Sequence, residues 1–253
     1  MYTRKGCQVN LSRIRFFAGC VLLTASGASV PGVLPEDRTD ILYHMYDGGG
    51  VQIDGPSVLV RKQVGKNVSL VGNYYVDMVS SASIDVLTTA SPYSEEREQY
   101  SLGMDYLRGN TTLSMGYTSS AESDFDATTY NFSVSQDMFG DLTTVALSFS
   151  RGWDDVTRRG DAAFADEIDR RIYGVDVSQV ATKNLILGVS FETITEEGFL
   201  NNPYRQVRFV DPESALGYSY EFERYPRTRT GNAFSARARW FLPYRAALQG
   251  DYR

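Results

Sequence analysis

Cysteine is nearly missing from this 253-residue chain, and both copies, Cys7 and Cys20, fall within the first twenty residues. Past that point a disulfide framework, a thiolate metal centre and a cysteine nucleophile are excluded together. Histidine is scarcer still. With His44 as the single copy, a Ser-His-Asp triad has little to be built from, and metal ligation at His44 would rest on carboxylates alone. Positive charge is in deficit: 25 Lys and Arg stand against 31 Asp and Glu, a net charge of −6. No basic stripe follows the first fifteen residues, which argues against nucleic acid as a partner. No apolar run after the N-terminus reaches the length of a membrane-crossing helix. From these absences we expect no enzymatic activity, no cofactor and no resident metal.

What the chain does have is aromatic: 17 Tyr and 13 Phe, within a mean hydropathy of only −0.29. Strict alternation reconciles the two, because a strand with one oily and one polar face averages toward zero in any sliding window. The clearest case is Gln99–Thr118. Tyr100, Leu102, Met104 and Tyr106 alternate with Gln99, Ser101, Gly103 and Asp105; after Arg108-Gly109-Asn110, Leu113, Met115 and Tyr117 alternate with Thr112, Ser114, Gly116 and Thr118. This is a hairpin in which Gly-Asn supplies the positive φ of a tight turn.

The same unit recurs. Val58, Val60 and Val64 oppose Ser57, Arg61 and Gln63; Val68, Leu70, Tyr74 and Val76 oppose Ser69, Asn73 and Asp77; later pairs of arms begin at Tyr130 and Thr143, Tyr173 and Leu185, and Phe234 and Ala246. Connections alternate short and long. Tight turns are expected at Lys66, Gly109, Gly140, Lys183 and Pro243, and long polar loops over 80–98, 119–128, 152–169 and 195–232. Roughly ten strands result, of the nine to eleven residues a tilted strand needs to cross a bilayer. In hydrocarbon every backbone N–H and C=O must be paired, which an antiparallel sheet achieves only by closing on itself. A soluble sandwich would instead wet one face with Lys, Glu and Thr, whereas here the polar face is mostly Ser, Gly, Thr and Asn. The expected fold class is all-β, an antiparallel transmembrane β-barrel in the bacterial outer membrane, with outer-membrane lipid and lipopolysaccharide as its surroundings.

The first residues read as an export signal. Arg4, Lys5, Arg13 and Arg15 precede the apolar Phe16–Leu23 and the small residues Ser26-Gly27-Ala28, giving a signal peptide over 1–28. Phe17-Ala18-Gly19-Cys20 is a weaker, lipoprotein-type alternative. Residues 29–50 form a linker with a first strand near Asp40–Tyr46, and 51–253 the barrel. Lys62 falls on the apolar face near a turn, where its amine can reach the headgroups. Arg61, Asp77, Asp105, Asp176, Glu192, Arg237 and Arg239 take the polar face and are the candidate lumen-lining residues. Bearing both signs, they either pair across a narrow barrel or line a wet pore. The acidic groups Glu95, Glu96 and Glu98, Asp154 and Asp155, and Glu196 and Glu197 read as solvated loop residues, with divalent cations bridging lipopolysaccharide phosphates as the alternative.

Gly55-Pro56-Ser57-Val58-Leu59-Val60-Arg61-Lys62, the preceding His44-Met45-Tyr46-Asp47-Gly48-Gly49-Gly50, and Tyr225-Pro226-Arg227-Thr228-Arg229-Thr230 carry a resemblance over nearly the whole mature chain. On these segments the sequence resembles a domain-of-unknown-function family of bacterial proteins regarded as outer-membrane barrels. The resemblance implies no catalytic residue. It also implies proximity to a small lipoprotein and a periplasmic flavin-transfer partner, hence a role in surface or periplasmic redox processes. Such barrels usually end on a strand with a terminal aromatic residue, whereas this sequence stops in mid-strand at Arg253, so an incomplete barrel is expected. Two functions follow: a solute conduit or redox-system component, or a non-conducting interaction or anchoring protein whose long outer loop 195–232, with Arg208, Arg224, Arg227 and Arg229, grips a partner or the lumen itself.

Overall fold

The computed structural model describes residues 33–48, 51–81 and 93–253. The proposed signal peptide, Gly49-Gly50 and the centre of the first long loop lie outside them. Eleven strands form one antiparallel sheet in the order β1-β2-β3-β4-β5-β6-β7-β8-β9-β12-β13. They are β1 (Arg38–Gly48), β2 (Val51–Val64), β3 (Val68–Ser81), β4 (Tyr93–Arg108), β5 (Thr111–Ala121), β6 (Phe125–Met138), β7 (Thr143–Thr157), β8 (Ala165–Thr182), β9 (Leu185–Gly198), β12 (Thr228–Phe241) and β13 (Ala247–Tyr252). A separate hairpin, β10 (Gln206–Val210) with β11 (Tyr218–Phe222), lies in the connection between β9 and β12. The fold is therefore all-β and meandering, and the sheet is open: among the described residues β1 and β13 each pair on one side only.

Three of the short turns fall where glycine permits left-handed backbone, at Gly65, Gly109 and Gly140. In Gly109–Asn110 the positive φ is carried by Gly109, at 61°, a conformation that costs glycine nothing. The β6–β7 turn is more demanding, because Phe139, Gly140 and Asp141 all have positive φ. The turn Pro243–Arg245, in which Tyr244 and Arg245 both have positive φ, joins β12 to β13.

Several expected loops are strand instead. β4 begins at Tyr93, β5 runs to Ala121, β7 reaches Thr157, β8 starts at Ala165 and β12 starts at Thr228. Segments read as the polar loops 80–98, 119–128, 152–169 and 195–232 thus shrink, and the roughly ten expected strands become eleven plus a hairpin. The reason is physical. In these extensions both faces of the strand carry polar residues, so the hydrophobic alternation vanishes although the backbone ladder continues. Lys62 also differs from expectation: its ammonium is ion-paired with Asp37, whose second oxygen accepts the N–H of Gln63 at 2.5 Å.

Register shows a regular stagger. The last pair of the β2–β3 hairpin is Val64↔Val68, and Val68 aligns with Tyr106 and through it with Leu113; the next hairpin ends two residues lower, at Arg108↔Thr111. Thr111 aligns with Gln136 and Val145, and the third hairpin again ends two residues lower, at Met138↔Thr143. Two residues per pair of strands, at roughly 3.3 Å per residue and 4.8 Å per strand, correspond to a tilt of about 35°.

Little of the apolar surface is inside. Among the described residues the buried apolar side chains are Leu34, Val76, Val156 and Ile168, while Leu102 is 65% exposed, Leu147 55% and Trp240 52%. One face of the sheet is oily and bare.

Candidate functional site

The opposite face follows from the register. One row of directly paired residues reads Gln63, Ser69, Asp105, Ser114, Ser133, Ser148, Gly174, Glu192 and Ala233 across β2–β9 and β12. The adjacent row reads Arg61, Val71, Gly103, Gly116, Asn131, Ser150, Ile172, Ile194 and Gly231. Period two then puts Asp77 on the face of Ser69, Asp176 on that of Gly174, and Arg237 and Arg239 on that of Ala233. All seven charged residues singled out from the sequence share this one face.

They are largely paired. Arg61 reaches over β3 to Asp105 at 3.3 Å, Ser114 Oγ donates to the same carboxylate at 2.7 Å, and Ser69 beneath is 1% exposed. Glu192 meets Arg253 at 3.0 Å, Arg237 meets Asp251 at 2.6 Å, and Arg239 donates to Gln249 at 2.9 and 3.2 Å. Asp176 makes no hydrogen bond among the described residues; Arg237 is the cation whose field reaches it.

Asp77 belongs to a cluster drawn from three strands. Arg97 donates to it at 2.5 Å and His44 Nε2 lies 2.8 Å away, its ring stacked on Tyr75 at 4.7 Å and 3°. His44 is on β1 and Asp77 on β3, so the histidine must cross β2. It does so over Gly55, its direct partner in register. A Cβ on Gly55 would collide with the carbonyl oxygen of Val76, so glycine is needed there for close approach of the strands as well as for the crossing.

Toward the long-connection edge lies a second charge system that the expected loops had hidden. Asp154, Arg170, Glu196 and Arg229 stand on four successive strands, β7, β8, β9 and β12, with alternating sign. Arg170 lies 3.6 Å from Asp154 and 2.9 Å from Glu196, and Arg229 Nε donates to Glu196 at 2.5 Å. Beside them Arg227 grips Asp166 with two bonds of 2.7 Å, which hold that carboxyl below its ordinary range. Asp154 is only 2% exposed. Burial, opposed by Arg170 and reinforced by Glu196 and Asp155, pushes its carboxyl up to about 6. Asp154 and Glu196 are therefore not solvated loop residues: each is packed against a guanidinium. Among the described residues no group of three or more His, Cys, Asp or Glu is placed to hold a metal ion.

The expected long loop 195–232 is ordered over this edge. Tyr204 donates its hydroxyl to Asp124 and accepts the N–H of Arg159 at 2.8 Å, while Arg158 sits between the rings of Phe164 and Phe222 at 4.2 and 4.1 Å. Of the four arginines of this loop, expected to grip a partner or the lumen itself, Arg224 pairs with Glu221, Arg208 lies over Tyr218, and Arg227 and Arg229 belong to the charge system.

Comparison with known proteins adds a single assignment. The model of a family described as "Protein of unknown function (DUF3570)" matches residues 16–253. No curated protein matches the chain.

Proposed function

For this chain, which belongs to the DUF3570 family, we propose a role as an outer-membrane β-barrel that conducts small polar solutes along its small-residue face. The oily face supports the membrane setting. Leu102, Met115, Phe132, Leu147, Val175, Phe191, Phe234 and Trp240 are all more than two-fifths exposed. Full burial of such a side chain is worth about 1.5–3 kcal/mol, and these are roughly half exposed, so leaving the eight in water costs on the order of 6–12 kcal/mol, comparable with the whole stability of an ordinary domain. Lipid removes that cost. On β9 the outward run from Leu185 to Phe191 is uninterrupted, with Val189 and Leu187 between, and spans roughly 20 Å along the strand, close to the apolar band of a membrane barrel. Above it Tyr74, Tyr100, Tyr117, Tyr130 and Trp153 contact one another in pairs, as an interfacial girdle does. The stagger of two residues per hairpin is the shear that closure requires.

The observation that carries conduction is the row Ser114, Ser133, Ser148, Gly174 with its neighbour Gly103, Gly116, Asn131, Ser150. Side chains this short leave the space in front of the sheet unfilled, and polar groups keep it wet. Charges on the same face are mostly neutralised in pairs, so they bias the lumen locally without blocking it.

Planar-bilayer recording of the full-length protein tests the reading, with stepwise conductance as the expected result. Replacing Arg237 and Arg239 by Glu should shift selectivity toward cations; unchanged conductance and selectivity would remove these residues from the conducting path. The ordered β10–β11 hairpin favours a second reading, a non-conducting barrel that presents this hairpin to a partner. Silent bilayers, together with partner binding abolished by shortening 199–227, would select it.

A further inference from the structure

On the oily face of β7 and β8 two arginines stand directly opposite each other, Arg151↔Arg171. Both are about two-fifths exposed, and they share a single carboxylate. Arg151 donates to Asp169 at 2.7 Å through Nη2 and at 3.4 Å through Nε, and Arg171 donates to it at 2.9 Å. Two cations and one anion leave a charge of +1 with several guanidinium N–H groups unused. Arg151 is also pinned against Trp153, 4.4 Å from the ring centre, and Trp153 meets Tyr130 edge-on at 5.8 Å. Immediately below, on the same face, come Phe149 and Leu147 on β7 and Tyr173 and Val175 on β8. The pair thus stands at the upper boundary of the apolar band, within the aromatic girdle.

We propose that Arg151 and Arg171 form a binding site for a phosphate group of an anionic membrane lipid, a phosphorylated glycolipid headgroup in the leaflet on the long-connection side. This inference rests on the membrane reading. The commitment to lipid rather than free phosphate comes from position: an anion seated on both forks lies where a headgroup meets its acyl chains, and those chains would cover Phe149, Leu147, Tyr173 and Val175. Guanidinium forks match phosphate oxygens geometrically and charge-assist the bonds. Other charges face the same side. Asp155 and Glu167 pair with each other four residues nearer the edge, roughly 13 Å away and beyond the screening length of about 8 Å. Glu197 lies one strand over, opposite Asp169. None stands between the arginines and the apolar band.

The test uses the full-length protein in phosphatidylcholine vesicles doped with bisphosphorylated lipid A. Insertion is scored by heat-modifiable gel migration, and retained glycolipid is counted by mass spectrometry after detergent extraction. The wild-type protein is expected to retain the phosphorylated lipid and not its dephosphorylated form. Arg151→Gln with Arg171→Gln should weaken retention about thirtyfold, while Arg224→Gln, in the hairpin connection, should not. Equal retention by the double variant, equal retention of dephosphorylated lipid, or displacement by millimolar inorganic phosphate would each overturn the proposal. Should the double variant fail to insert, the wild-type comparison of the two lipids decides. Failure of the wild-type protein itself to insert would sink the membrane reading instead.

Discussion

Replacing Asp154 by asparagine should stabilise the protein at neutral pH and leave it unchanged in acid. The carboxyl is 2% exposed, and burial pushes it up to about 6 from an ordinary 3.8. Between those two values the native state keeps a proton that the unfolded chain has already released, so stability falls as pH rises through the window. The full loss is about 3 kcal/mol, at roughly 1.4 kcal/mol for each pH unit that separates the two values. Asparagine mimics the protonated acid in shape and charge. The variant should therefore match the wild type near pH 4 and exceed it by about 3 kcal/mol above pH 6.5. Asp154 is well placed for the measurement, being the twelfth residue of β7 counted from Thr143, past the roughly nine to eleven residues a crossing strand needs. Urea unfolding of the detergent-refolded protein, followed by heat-modifiable migration from pH 4 to 8, reads the difference directly, because other carboxylates cancel between the two proteins. A pH-independent difference, or a wild type more stable than the variant at pH 7.5, would refute the reasoning: Arg170 would then outweigh burial.

Arg170→Met should be worse than neutral, since it strips the partner from both Asp154 and Glu196; a cost of about 3 kcal/mol is expected in the same unfolding assay, and a loss below 1 kcal/mol would show that Arg229 alone satisfies Glu196. Leu147→Arg, in the middle of the oily face, should cost about 2–4 kcal/mol when the protein is refolded into lipid, whereas Ser148→Thr on the opposite face should be nearly silent; equal effects would mean the faces are misassigned. Gly55→Ala forces a methyl into the Val76 carbonyl and should cost about 1–3 kcal/mol while freeing His44 from Asp77, visible as a shifted imidazole resonance.

Tyr100, Leu102, Met104 and Tyr106 against Gln99, Ser101, Gly103 and Asp105 were legible because one periodicity governs them: a strand with one apolar and one polar face must alternate. The same rule set Arg61, Asp105, Glu192 and Arg237 on one face, since register cannot slip by one residue without turning every side chain over. Arg97, Asp154, Arg170 and Glu196 were not legible. Around them charges occupy both faces, as in Asp169-Arg170-Arg171, so the pattern resembles a loop even though β8 runs through it. A continued period-two reading of Asp166, Ile168, Arg170 and Ile172 was the one signal available.

Sequence alone thus determined the alternating centres of the strands and their faces, because each depends on neighbours two residues apart; the lengths of the connections it did not, since the expected loop 119–128 is only the three residues between β5 and β6. Which charge meets which was decided only in three dimensions. Arg61 finds Asp105, His44 finds Asp77 and Arg229 finds Glu196 across 44, 33 and 33 residues of chain, and such pairings depend on the order and stagger of the strands, which no local spacing encodes.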